Sequence, residues 1–254
     1  MFAKQYLGLK KNINEIRFWL TRPNWWLDKK AKISFYSQFF QPGDLCFDVG
    51  ANNGNFAEML CELGGCVVAI EPQPACIPKI REKLERFDSA TVINIAVGNQ
   101  QGYVEMILPH EESQIASISK EWVKRVKESN RFSEHSWDNK ISVPMRKLDD
   151  LVEKYGVPVF CKIDVEGYEE EVLKGLSHAP RFLSFEYTPE NEGAVTSCIN
   201  RMSEIGTFKF NFAIHQCWQF YWHEPLSADE LIAQLEGTID PVIRQGGDVY
   251  AFRQ

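Results

Sequence analysis

The chain has 254 residues, 44% of them hydrophobic and 25% charged, which is the composition of an ordinary folded domain with enough length to bury one sizeable core. Residues 1–40 hold eight basic side chains against Glu15 and Asp28, a net +6; since the whole chain carries −7, the remaining residues carry −13, and nucleic acid is excluded as the expected partner. No apolar run reaches the ~18 residues of a membrane span, and seven cysteines with no C-x-x-C pair exclude both a disulfide framework and a thiolate zinc site.

The basic stretch 1–40 is rich in aromatic residues, and Arg22-Pro23 is predicted to break it into two helices. Trp26, Ile33, Tyr36 and Phe40 recur at helical spacing, so one face is expected to pack on the core. Two readings stand. The favoured one is a helical arm capping the ligand site; the other is peripheral contact with an anionic membrane or a lipid-linked substrate through Lys, Arg and Trp. The N-terminus lacks the apolar core of a secretory signal, so a cytoplasmic setting is expected, with any membrane contact at the inner face.

From Pro42-Gly43 strands and helices alternate, and 41–254 read as one domain with an insertion at 109–140. Leu45–Val49 is an apolar strand that runs into Gly50-Ala51-Asn52-Asn53-Gly54 and then a helix from Asn55-Phe56. Backbone N–H groups of such a turn face a ligand laid across the strand's carboxyl end. The spacing Gly50-x-x-x-Gly54 does not meet the three-glycine dinucleotide fingerprint. A second strand, Cys66–Ile70, ends at Glu71-Pro72, where an acid is placed to accept from a ribose diol. A helix is expected over Cys76–Phe87 and a third strand over Thr91–Val97. The repeated order implies a mostly parallel, doubly wound sheet.

Gly102–Leu108 alternates as a strand, and the polar insertion after it, with a helix over Lys120–Glu128, reads as a lid or substrate-facing loop. Ser142–Met145 is expected to be a short edge segment because of Pro144. A helix from Leu148 to Gly156 leads to a strand beginning at Val159 whose carboxyl end carries Asp164 and Glu166, followed by a helix over Glu169–Leu176. Both acids are site candidates by position, with Asp164 as a helix cap the alternative. Arg181–Tyr187 brings Glu186 to the same edge. A helix over Glu192–Ile205, strands over Phe208–Ile214 and Cys217–Trp222, a helix opened by a Ser227-to-Glu230 capping box, and a last strand over Gly247–Phe252 complete the chain. The closing pair is expected to be antiparallel.

Together the stretches FDVGANNG (47–54), Ile70-Glu71-Pro72, Asn94–Gly98, Leu148–Leu151, KIDVEGYE (162–169) with Val172–Gly175, and Gly247–Ala251 resemble the FkbM-type S-adenosylmethionine-dependent methyltransferases. The resemblance implies a Rossmann-like class I methyltransferase fold: seven strands, mostly parallel with an antiparallel last strand, and helices on both faces. It also implies that Asp48, Gly50, Asn52 and Gly54 line the methionine end of the cofactor, Glu71 holds its ribose, Asn94, Ile95 and Ala96 flank its adenine, and Asp164 lies beside the transferable methyl. Ala51, Asn55, Phe56 and Pro72 complete the expected cofactor set. Tyr168, following Gly167, is larger than the residue many relatives carry there and bears on the shape of the acceptor pocket.

Methyl transfer from a sulfonium to a hydroxyl needs in-line alignment and removal of a proton. Asp164, Glu166 and Glu186 are the expected bases, and whichever acts needs a pKa raised by desolvation. A divalent cation on Asp164 and Glu186 is the less favoured alternative, as are His110 and His215 as bases. The expected acceptor is a sugar, glycan or glycosylated natural product, for which Trp218, Tyr221, Trp222, His223, Trp122 and Trp137 are candidate stacking surfaces. The competing readings are a nicotinamide oxidoreductase, disfavoured by the missing glycine, and a non-catalytic cofactor-binding scaffold attached through the arm.

Overall fold

The computed structural model describes residues 25–109, 116–128, 137, 139–188, 192–214, 217–237, 243 and 246–254. Residues 1–24 of the arm, His110 and His215 lie outside them. A seven-stranded sheet contains β1 (Leu45–Val49), β2 (Cys66–Ile70), β3 (Ala90–Ile93), β7 (Phe160–Ile163), β8 (Phe182–Tyr187), β9 (Phe208–Ile214) and β10 (Gly247–Arg253) in the order β3-β2-β1-β7-β8-β10-β9. Only β10 runs against its neighbours. β1 and β7 are central and read as near-continuous apolar runs, as strands covered on both faces must. Chain order reverses between these two, which opens a crevice at their carboxyl ends.

One face of the sheet is covered by α1 (Trp25–Tyr36), α2 (Asn55–Glu62) and α3 (Ile77–Leu84), and the other by α5 (Leu148–Tyr155), α6 (Glu169–Lys174), α7 (Glu192–Ile205) and α8 (Ala228–Gly237), while α4 (Lys120–Glu128) belongs to the insertion. Ile33 and Tyr36 turn to the core as their spacing requires and Phe35 joins them from the same helix, whereas Phe39 and Phe40 are buried from the segment beyond its end at Tyr36, and the side chain of Trp26 lies outside the described residues. Phe39 stacks between Phe160 and Tyr250, at 5.1 and 5.3 Å, while the Tyr36 and Tyr250 hydroxyls share a 2.9 Å hydrogen bond. The capping box of α8 forms as expected, with Glu230 accepting from the Ser227 N–H at 2.7 Å. No helix among the described residues is long and apolar enough to cross a membrane.

Three sequence expectations are corrected. Thr91–Val97 is not one strand: β3 stays in the main sheet and β4 (Ala96–Gly98) joins a separate three-stranded sheet. Asn94 makes the break, its Nδ2 donating to the carbonyls of Glu71 (2.8 Å) and Pro72 (2.9 Å). Ser142–Met145 belongs to β6 (Asn139–Lys147), the middle strand of that small sheet, between β4 and β5 (Gly102–Leu108). β4 pairs only with Met145–Lys147, so β6 is again an edge at Pro144, where a residue without an N–H is tolerated. Cys217–Trp222 is a loop. The Asn211 side chain donates to the Trp222 carbonyl (2.8 Å) and accepts from its N–H (3.2 Å), Tyr221 N–H donates to Phe212 O (2.7 Å), and Trp218 has φ 36°, incompatible with a strand.

Candidate active site

The crevice is built by three strand ends tied to one another. Gly50 N–H donates to Ile70 O and Asp164 N–H to Val49 O, both at 2.9 Å, which locks β1 between β2 and β7. Gly50 has φ 89°, and a Cβ there would fall 1.7 Å from the Asp164 carbonyl oxygen, so only glycine lets the strands approach this closely. Asn52 has φ 48° and is held there by its N–H, which donates to Glu71 Oε2 at 2.7 Å. Glu71 Oε1 accepts from the Gln73 N–H at 2.8 Å. The carboxylate thus braces the turn that borders the crevice.

These elements enclose a cavity of about 280 Å³. Asp48, Gly50, Ala51, Asn52, Asn55 and Phe56 line it from β1 and its turn; Glu71 and Pro72 from β2; Ile95 and Ala96 from the break after β3; and Asp164 and Glu166 from the turn after β7. Two residues of the expected set stand behind the wall: Gly54 starts α2 at φ 76° against Ile80, and Asn94 supports Glu71 and Pro72. The sequence reading missed Lys162, and it missed Met106, Ala116 and Ile118, which bring the small sheet and the start of the insertion into the wall. Asp164 does not cap a helix, because α6 begins only at Glu169, after a turn with Glu166 at φ 54° and Gly167 at φ 88°. Ser117 Oγ holds that turn by donating to the Glu166 carbonyl at 2.6 Å.

A second cavity, also about 280 Å³, adjoins the first. Phe56, Lys162 and Asp164 line both, and the second is completed by Lys32, Phe35 and Tyr36 from α1, Ala213, Ile214 and Trp218, and Asp248 and Tyr250 of β10. Of the aromatic residues named as candidate stacking surfaces, Trp218 lines this second cavity. Trp122 and Trp137 do not: both are buried, edge to face at 6.1 Å, and Trp122 fills the space a side chain at Gly167 would need. Tyr221, Trp222 and His223 line neither cavity.

The sequence profile of the methyltransferase FkbM domain matches residues 48–216, which include the whole Gly50–Gly54 turn, Glu71 and the Asp164–Gly167 turn. The chain belongs to the FkbM family of S-adenosylmethionine-dependent methyltransferases. A curated relative, hexuronic acid methyltransferase AglP of Haloferax volcanii, is 31% identical over 144 residues, 56% of this chain and 54% of the relative, so this chain spans about half the length of the curated relative it matches. Two solved structures align loosely. A precorrin-6y C5,15-methyltransferase from Geobacter metallireducens has TM-score 0.46 at 11% identity, covering 88% of this chain and 86% of its own. A TehB-like methyltransferase from Corynebacterium glutamicum has TM-score 0.45 at 9% identity, covering 88% of each.

The residues of this FkbM methyltransferase fit its cofactor. Asp48 is buried, and its Oδ2 has no hydrogen-bond partner among the described residues, so a cationic amine in the cavity would complete it. Burial pushes the Asp48 carboxyl up to about 7 against the pull of the Lys162 ammonium. Glu71, also raised by burial despite the N–H groups of Gln73 and Asn52, keeps a second lone pair on each oxygen for a diol.

Lys162 Nζ bonds Asp164 Oδ2 at 2.5 Å. Burial works to strip Lys162 of its proton, but Asp164 and then Asp248 outweigh it and hold the pKa well above the usual lysine value. Asp164, Glu166 and Glu186 place carboxylate oxygens within 4.8 Å of one another. Burial, then the charges of Asp164 and Glu166, raise Glu186 well above the carboxylate range. Such a trio has the donor chemistry for a hard divalent cation. The Lys162 ammonium already neutralises Asp164, however, and supplies the compensation an ion would give.

Proposed function

We propose that this FkbM methyltransferase moves a methyl group from S-adenosylmethionine to a hydroxyl oxygen of a sugar. The observation that carries the reading is that Asp164 and Lys162 form a shared wall between the cofactor-type cavity and a second, aromatic-lined one. The name of the Haloferax relative, a hexuronic acid methyltransferase, supports a sugar as acceptor. The cofactor, when bound, supplies an electrophilic methyl on a sulfonium. Asp48 binds its amine and Glu71 its ribose, while Asn52, Asn55 and Phe56 shape the turn around it.

Asp164 accepts the hydrogen bond of the acceptor hydroxyl, and Lys162 fixes the orientation of that carboxylate. As the oxygen loses its proton to Asp164, Glu186 lies close enough to share it, its own carboxyl held well above the usual range by burial and by the charges of Asp164 and Glu166. The proton taken from the acceptor is then shared by the cluster, whose apparent pKa belongs to the group rather than to one residue.

The test is transfer of labelled methyl from S-adenosylmethionine to a panel of neutral and acidic monosaccharide glycosides. Transfer to an alkali-stable ether supports the reading. An alkali-labile product would mean that the oxygen methylated is a carboxylate's, and binding without transfer to any sugar would overturn the reading. Activity should rise with pH through the cluster's apparent pKa, since the base must be free of its extra proton. In Glu186→Gln the cluster loses one of its three acids, so that limb should move to lower pH. An unmoved limb would remove Glu186 from the cluster.

A further inference from the structure

The second cavity draws most of its lining from outside the family-matched segment, and one of those residues is a lysine that feels Asp48 and Asp248 only at a distance and closes an ion pair with neither. Lys32, on α1, points its ammonium between two rings, 5.5 Å from the Phe56 centroid and 5.2 Å from the Trp218 centroid. Among the described residues it makes no ion pair, in contrast to Lys162 in the same cavity, which is engaged by Asp164 at 2.5 Å. Its surroundings are half-buried, and burial, then the neighbouring Lys162, lower its hold on the proton. An ammonium kept out of water in this way gains from any anion that reaches it.

We infer that the second cavity is the acceptor subsite, and that Lys32 binds a carboxylate on the acceptor sugar while the sugar ring lies against Trp218. This rests on the sugar-methylating reading above and names the class of sugar: a uronic acid. The charges nearby make the assignment specific. Asp164 and Asp248 line the same cavity and Asp48 lies just beyond it, so a carboxylate entering there is repelled everywhere except at Lys32. Lys162 is already committed. A sugar anchored through its carboxylate at Lys32 has its ring hydroxyls left to face the other end of the cavity, where Asp164 forms the wall shared with the cofactor side. Selection of the acceptor thus falls to α1 and the 217–222 loop, both outside residues 48–216.

The experiment is calorimetry on the full chain saturated with S-adenosylhomocysteine, titrated with methyl β-D-glucuronide and, separately, methyl β-D-glucoside. Wild type should bind the glucuronide about tenfold more tightly, the weight of one desolvated charge pair, ~1.4 kcal/mol. Lys32→Gln should lose that preference, and Lys32→Arg should keep part of it, with S-adenosylhomocysteine affinity and melting temperature unchanged in both. Equal binding of the two glycosides by wild type, or an undiminished preference in Lys32→Gln, overturns the subsite. Heat from S-adenosylhomocysteine with none from either sugar also overturns the subsite and leaves the cofactor site standing. No heat from S-adenosylhomocysteine brings down the methyltransferase reading itself.

Discussion

Leaving Asp48 Oδ2 buried without a partner costs about 1–3 kcal/mol in the ligand-free chain. With its pKa raised to about 7, the folded chain holds a proton on Asp48 that the unfolded chain gives up near pH 4. Folding therefore takes up a proton between those values, and stability declines as pH rises through that window. Asp48→Asn escapes this loss. Its melting temperature should exceed wild type by roughly 2–4 °C at pH 8 and by much less at pH 5, while the stabilisation by S-adenosylhomocysteine disappears at both. Thermal scans with and without the nucleoside would show it; an equal gain at both pH values would mean that the carboxyl is not the cause. Asp48 was legible as a site residue because it ends an apolar strand before a glycine turn. Lys162 was equally legible and was passed over: it is the polar residue in the wholly buried β7, two positions from Asp164 and therefore on the same face. What local pattern could not tell is that Lys162 meets Asp48 across the β1–β7 register.

At the scale of elements, α1 is part of the core. Phe35, Tyr36, Phe39 and Phe40 are all buried against the sheet, each worth about 1.5–3 kcal/mol by area. Together they compare with a whole domain's stability of ~5–15 kcal/mol. Removing residues 1–40 should therefore yield unfolded or aggregated protein, whereas removal of residues 1–24 should leave a cooperative unfolding transition by circular dichroism. Only the shorter deletion can test whether the basic arm contacts a membrane. Tyr36→Phe leaves the buried Tyr250 hydroxyl without its 2.9 Å partner and should cost about 1–3 kcal/mol in denaturant unfolding. An unshifted midpoint would mean that the Tyr250 hydroxyl finds another partner. The strands that sequence located well, such as Gly102–Leu108 and Phe208–Ile214, are those whose apolar pattern ends at glycine or a polar turn. The misread ones are decided by distant hydrogen bonds: Asn94 reaching the carbonyls after β2, and Asn211 gripping Trp222 eleven residues on. Pro144 misled for a related reason, since its strand is central for part of its length and an edge for the rest.

Across the whole molecule, a polar row interrupts an otherwise apolar sheet face: Asp48, Lys162 and Ser184 lie side by side in register on β1, β7 and β8. All three are buried, so the fold carries unfavourable desolvation where its ligand is expected to bind. Asp48 and Glu169 are both raised to about 7 by burial, and Glu71 and Glu186 are raised as well. Each of these acids binds its proton more tightly folded than unfolded, so the ligand-free chain should lose stability steadily from about pH 5 to pH 8. A nucleoside bearing an ammonium group reverses the balance at one of them. Beside that cation Asp48 favours its ionised form, so binding below pH 7 must expel a proton into solvent, and binding well above pH 7 finds the carboxylate already bare. S-adenosylhomocysteine affinity should accordingly rise with pH and level off above about 7. Titrations at pH 6 in two buffers of different ionisation enthalpy should give different heats, corresponding to release of up to one proton, and the difference should vanish at pH 8. In Asp48→Asn whatever residual binding remains should show no buffer dependence at either pH. Heats at pH 6 that are the same in both buffers for wild type would mean that the ligand's charge is met elsewhere, and that the orphaned oxygen of Asp48 has some other partner.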